Sequence, residues 1–224
     1  MIKKNYNDYR VLVLIQTYND GKYLKAAIKS ILNQTHKQTD ILILDDGSDE
    51  KNKKKYIQFI KLNKRITYIY RNNSGIINSS IELMKLAKKS NYKFFAKMDG
   101  DDLSHKNRIK TQLEYLLNNN LDLVGCDYAR MNKKGKNFEL NRCSNSKTSR
   151  FNQLMVESIF AHGSILFKRK LLDLKILKYD PIFSGLPFPE DFNMFHNLIN
   201  KCKIGTVNKT LYRYRIHKRS FSEK

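Results

Sequence analysis

In YKFFAKMDGDDLSHKNRIKTQLEYL, residues 92–116, an apolar run gives way to three aspartates within four positions and then to a helical pattern. YKFFAKM (92–98) reads as a buried strand. Ile109, Leu113, Leu116 and Leu117 recur at the spacing of one helix face, with Ser104 the expected N-cap. Between strand and helix, Asp99, Asp101 and Asp102 surround Gly100, so the backbone can turn tightly. Two unit charges about 4 Å apart repel by about 4 kcal/mol at an effective dielectric of about 20. Such a cluster calls for a cation, a protonated member or open solvent.

The same strand–turn–helix unit recurs upstream. RVLVLIQ (10–16) is a short β-branched strand. The turn YNDG follows, then a helix with Leu24, Ala27, Ile28, Ile31 and Leu32 on one face. DILILDDGS (40–48) is a second strand ending in a polar turn. KKYIQFIKL is a helix, RITYIYR (65–71) a third strand and GIINSSIELMKLAKK another helix. YKFFAKM is then the fourth strand and LDLVGCDYA (121–129) the fifth. Strand and helix alternate to about residue 125. This pattern predicts an α/β fold: one doubly wound, mostly parallel sheet with helices on both faces. Ligands of such sheets bind beyond the carboxyl ends of the strands. The turns QTYND, LDDGS and KMDGDD should therefore face one crevice.

The remainder is less regular. NKKGK (132–136) reads as a hairpin turn, AHGSILFKR (161–169) as a strand, PEDFNMFHNLINK (189–201) as a helix and IGTVNKTLYRYRIH (204–217) as extended. Pro181, Pro187 and Pro189 fall in DPIFSGLPFPED, read as a loop. With 224 residues, 41% of them hydrophobic, the chain suffices for one sizeable α/β domain or two small ones. No stretch approaches the ~18 uninterrupted apolar residues of a membrane span. The opening MIKKNYNDYRVLVLIQTYND has neither the long apolar run nor the small-residue site of a signal peptide, so a cytosol-like compartment is expected. Cys126, Cys143 and Cys202 are scattered and suggest neither a disulfide framework nor a zinc site.

Forty-three basic residues against 21 acidic ones give a net charge of +22. A field of that sign attracts nucleic acid, anionic membrane or phosphate-bearing ligands. A Lys- and Asn-rich composition that keeps the surface soluble is the plain alternative. The aspartate cluster is not an EF-hand. Counting from Asp99, the sixth position is Ser104 and the twelfth Lys110, where that loop needs glycine and an acid. A smaller site stays open: one or two carboxylates holding Mg²⁺ or Mn²⁺, with substrate phosphates completing the shell. So does a solvated acidic turn that caps the next helix.

VLVLIQTYNDGKYLKAAIKSILNQT, DILILDDGSDE, AKMDGDDLSHKNRIKTQLEYL, PEDFNMFHNL and LYRYRIHKRSFS, taken in order, resemble the motif series of the family 2 glycosyltransferases of GT-A fold. The bacterial-type enzymes that build surface polysaccharides are the nearest match. The resemblance runs from about Val11 to Ser222. It implies a single GT-A domain over residues 1–224, with a nucleotide-binding half to about 125 and a smaller, irregular acceptor-side half over about 126–224.

The resemblance also implies roles. Gln16, Thr17, Tyr18 and Asp46 would hold the base and ribose of a nucleotide-sugar, here a UDP-sugar. A carboxylate can accept from the N3–H of uracil, and a tyrosine ring can lie against a flat base. Asp99 and Asp101 match the D-x-D pair, with Asp101 the direct ligand of Mn²⁺ or Mg²⁺. Asp102 would shape the site or contact the sugar, and Lys97 would face the diphosphate. Asp191 would be the general base, supported by Glu190. Arg215 and His217 would close over the leaving diphosphate, and His162 would lie on the acceptor side. The implied reaction is inverting transfer to a hydroxyl of a glycan or lipid-linked acceptor, at the cytoplasmic face of an anionic membrane. Departures from the pattern are Phe195 and Asn197, where relatives often carry Trp and Arg, Lys106 in place of Pro, and Ile81 in place of Asn. A basic nucleic-acid-binding module is the competing reading, although no nucleic-acid motif appears and acids stand where the strand ends converge. A nucleotidyltransferase would carry a Gly-rich phosphate loop after the first strand, and QTYNDG is not one.

Overall fold

The computed structural model describes residues 6–61, 63–144, 146, 158–181 and 190–217. Four strands, β1 (Val11–Thr17), β2 (Thr39–Asp45), β3 (Ile66–Tyr70) and β4 (Phe94–Asp99), run parallel in the order β3-β2-β1-β4. They are joined by α1 (Lys22–Leu32), α2 (Glu50–Ile60) and α3 (Ile76–Lys89). Beyond β4 the sheet continues through β8 (Leu166–Lys168), β6 (Leu123–Met131), β9 (Ile204–Arg215) and the two-residue β5 (Leu103–Ser104). β7 (Asn137–Asn141) pairs outside that path with β6. β8 is antiparallel to both β4 and β6, whereas β6 and β9 are parallel. The sheet is thus mostly parallel, with reversed strands in its second half.

Side chains alternate across a strand, and each buried strand feeds two cores. From β1, Val11, Val13 and Ile15 pack with α1, α2 and α4 (Arg108–Asn118). Leu12 and Leu14 pack with α3 and with the helices Lys170–Asp173 and Glu190–Leu198 on the other face. Burying a Leu, Ile or Phe side chain is worth about 1.5–3 kcal/mol, so the central strands, enclosed on both sides, anchor the crevice they end in. Asp49 begins α2 as its N-cap, accepting from the Asn52 N–H at 2.8 Å.

The doubly wound reading holds, with local corrections. Ser104 does not cap α4. It lies in β5, its N–H bonded to Ser30 Oγ at 3.1 Å, and Asn107 precedes the helix. A short polar segment after a strand reads alike whether it caps the next helix or pairs with a distant strand. The expected strand over 161–169 is shorter: His162–Ser164 is a 3-10 turn and β8 spans three residues. The fifth strand of the prediction is β6, shifted two residues C-terminal of it. The hairpin turn at 132–136 is present, Gly135 N–H bonding Asn132 O at 2.8 Å. Most of the proline-bearing loop, 182–189, lies outside the described residues.

Candidate active site

The strand order reverses between β1 and β4, and their carboxyl ends define the crevice. Gln16 and Asp99 are register partners there. Gly100 follows immediately, and a Cβ on it would collide with Asp20 Oδ2 while lying 3.1 Å from Gln16 O and Thr17 Oγ1. That close approach brings Asp20, from the turn after β1, against the Asp99–Asp102 turn after β4. Thr17 Oγ1 donates to Asp20 Oδ2 at 2.7 Å. Desolvation, then the charge of Asp101, then that of Asp99 push the Asp20 carboxyl up to about 8, against the Thr17 hydrogen bond. Asp102 is fully buried. Burial, followed by the charges of Asp101 and Asp99, raises it well above the ordinary carboxylate range.

The last strand closes one side. β5 pairs antiparallel with β9, tying the acidic turn to residues 212–213. Arg215 N–H donates to Asp102 Oδ1 at 2.7 Å and Arg215 Nε to Asp101 O at 2.6 Å. His217 Nε2 lies 2.8 Å from Asp101 Oδ2. Tyr23, at the start of α1, stacks on the His217 ring, centroids 5.4 Å apart, and carries the Arg215 guanidinium at 4.6 Å from its own centroid. Arg215 is buried and bonded to the acidic turn, so it fastens that turn in place.

On the other side, Asp46 is buried and linked to β1 through its N–H to Thr17 O at 3.0 Å. Asp46 Oδ1 takes 3.2 Å hydrogen bonds from the N–H and hydroxyl of Ser74, with Arg71 Nε 3.4 Å away. The Gln16 side chain bridges to α3, donating to Ile76 O at 3.0 Å and accepting from Ser80 Oγ at 2.8 Å. Tyr18 is 53% exposed, leaving a free aromatic surface beside these groups.

Gln16, Thr17, Asp46, Asp99, Asp101, Asp102, Arg215 and His217 thus share one connected set of turns. Lys97 lies on β4 below them, but its ammonium nitrogen is enclosed by protein, and an open contact with a diphosphate is not what this arrangement offers. His162 bonds Tyr179 Oη through Nε2 at 2.5 Å, and its neighbour Gly163 abuts Asp99 Oδ2. Asp191 is buried in the first turn of Glu190–Leu198. That helix packs through Phe195 on Phe160, two residues before His162. Glu190 begins the helix, and its side chain lies outside the described residues. Asp20 and Tyr23 are the residues sequence reasoning passed over. Both stand in the YNDG turn or just after it, one strand away from the D-x-D.

The acid cluster fits a divalent cation. Its donors are hard carboxylate oxygens suited to Mg²⁺ or Mn²⁺, and their mutual repulsion is what a cation relieves. Among the described residues, no three His, Cys, Asp or Glu side chains are disposed to hold a metal by themselves. That matches ions bound by one or two carboxylates plus phosphate oxygens rather than by a protein cage.

Comparison with known proteins bears on this arrangement. The model of the family described as Glycosyl transferase family 2 matches residues 12–174. An uncharacterized glycosyltransferase of Rickettsia conorii is 31% identical over 216 residues, covering 96% of this chain and 34% of the relative. The O-antigen biosynthesis glycosyltransferase WbnJ of Escherichia coli is 29% identical, covering 94% of this chain and 81% of its own. The chain spans about a third of the length of the relatives from Rickettsia conorii, Rickettsia bellii and Rickettsia felis. Among solved structures, S. aureus TarS 1-349 in complex with UDP-GlcNAc has a TM-score of 0.76 at 15% identity, over 96% of this chain and 61% of that one. Mannosyltransferase PcManGT from Pyrobaculum calidifontis, in complex with GDP-Man and Mn²⁺, has a TM-score of 0.68 at 14% identity, over 97% and 60%. At these identities the likeness is one of fold.

Proposed function

Because the chain belongs to glycosyl transferase family 2, we propose that it transfers a sugar, with inversion, from a UDP-sugar to a hydroxyl of a glycan or lipid-linked acceptor. The observation that carries this reading is the meeting of Asp20, Asp99 and Asp101 at the β1–β4 switch point, in a chain that is otherwise strongly basic. The complexes of TarS with UDP-GlcNAc and of PcManGT with GDP-Man and Mn²⁺ support a nucleotide-sugar donor and a divalent ion. WbnJ, an O-antigen enzyme by name, supports a role in surface polysaccharide synthesis.

In this reading Asp101, with Asp99, holds the metal. When bound, the ion offsets charge developing on the leaving nucleoside diphosphate. Asp46 and Gln16 receive the base and ribose, with Tyr18 lying against the ring. Thr17 orients Asp20. Asp102, buried and bonded to Arg215, keeps the turn in shape, while Arg215 brings positive charge and His217 a hydrogen-bonding ring nitrogen to the diphosphate side. Lys97 is enclosed beneath the turn rather than set against the diphosphate. Asp191, backed by Glu190, takes the acceptor proton, and His162 stands on the acceptor side. The acceptor hydroxyl then attacks the anomeric carbon from the face opposite the diphosphate. The net charge favours docking on an anionic leaflet, where a well-placed Lys or Arg contributes about 1 kcal/mol.

Screening sugar nucleotides for Mn²⁺-dependent hydrolysis identifies the donor. With that donor, Asp101→Ala and Asp191→Ala each lower turnover by about a hundredfold or more. Near-normal turnover in either variant removes that residue from its role.

A further inference from the structure

The acidic turn has a buried support behind it, made of Tyr212 and Arg108. Tyr212, on β9, is fully buried. The Asp99 N–H donates to its hydroxyl at 3.2 Å. The same hydroxyl fills the space above Gly163, where a Cβ would collide with it and come 2.8 Å from Asp99 Oδ2. Three pieces of chain therefore converge on one phenol: the end of β4, the 3-10 turn that begins at His162, and the β5–β9 pairing in which Ser104 faces Tyr212. Arg108 lies behind the ring, its guanidinium carbon 4.9 Å from the Tyr212 centroid.

Arg108 is also fully buried, in the first turn of α4. It donates Nη2 to Lys97 O at 2.6 Å and Nε to Gln112 Oε1 at 3.0 Å. Gln112 in turn donates to Ser164 O at 2.8 Å and Val124 O at 3.3 Å. A guanidinium stays protonated at any working pH. Here it is a buried cation bonded to carbonyl and amide oxygens, with Asp99 and Asp102 as the carboxylates that act on it at longer range. The pair joins β4, β6, β9 and the 162–164 turn without presenting a group to the crevice.

We propose that Tyr212 is a positioning residue for the donor site. Its hydroxyl, carried on a ring packed against the Arg108 guanidinium, fixes the backbone of Asp99 and hence the placement of the Asp99 and Asp101 carboxylates. This rests on the donor-site reading above. A phenylalanine keeps the ring, its packing and the cation–π contact, and removes the hydroxyl that accepts from the Asp99 N–H and hydrogen-bonds the buried Asp102 side chain.

The test titrates Mn²⁺, with and without UDP, into wild type and Tyr212→Phe, followed by electron paramagnetic resonance of the free ion. Donor KM, kcat and melting temperature are measured alongside. Tyr212→Phe weakens Mn²⁺·UDP binding and raises donor KM by about fivefold, the worth of roughly one hydrogen bond, with kcat close to wild type and a melting temperature lower by a few degrees as the buried Asp102 loses a partner. Unchanged Mn²⁺·UDP affinity and KM overturn the inference, whether or not the melting temperature falls. Arg108→Gln, which keeps a donor but loses the cation under the ring, shifts the same two quantities in the same direction if it folds. If wild type binds no Mn²⁺·UDP, the donor-site reading fails first, and the role of Tyr212 with it.

Discussion

At Gly100 the turn has no room for a methyl group, because Asp20 Oδ2 already stands where a Cβ would go. That contact presses carboxylates from two strand ends together. Gly100→Ala must push Asp20 or the turn aside. It is expected to cost about 1–3 kcal/mol of stability and to abolish metal-dependent donor hydrolysis, measured by melting temperature and steady-state assay. A variant that melts lower but hydrolyses normally would show that the Asp20–Asp101 approach is dispensable. The D-x-D acids were legible in the sequence, since three aspartates around a glycine after an apolar strand announce themselves. Asp20 was not. Strand–helix alternation put the QTYND turn on the same crevice but did not say which of its side chains meets the aspartate turn, and an Asp-Gly after a strand reads as an ordinary turn. Tyr212 was equally silent, because an aromatic in an extended run is most often core.

Among the elements, α1 to α4 and β1 to β4 follow from periodicity. Their apolar spacing serves two faces of one sheet. The second half was harder to read for a physical reason. β8 is three residues long and β5 two, so neither run is long enough to show a period. Ser104 illustrates this: its pairing with Tyr212 is decided by a strand a hundred residues away. Where a local signal does decide, it can be tested alone. Asp49 holds the N-terminus of α2 through the Asn52 N–H, and Asp49→Ala should cost about 1 kcal/mol. For a chain of this size that lowers the melting temperature by about 2–4 °C. No shift by calorimetry would mean the cap carries none of the helix's stability.

For the whole molecule, the balance of charge and the acidic centre belong together. A chain of net charge +22 draws phosphate-bearing partners, and in the proposed reading the acids gathered in the crevice take a cation before a diphosphate settles there. Among the described residues, no helix is long and apolar enough to cross a membrane. The surface charge therefore predicts sedimentation with phosphatidylglycerol vesicles at low salt and release at about 1 M salt, where screening falls to about 3 Å. Failure to bind at low salt would leave the charge as composition only. The most direct test of the central idea, a divalent ion held by Asp101 and its neighbours that grips a nucleotide diphosphate, is calorimetric titration of UDP with and without Mn²⁺ into wild type and Asp101→Asn. Tight binding only with Mn²⁺ present, and lost in the variant, is the predicted result. Equal binding without metal, or in Asp101→Asn, would contradict it.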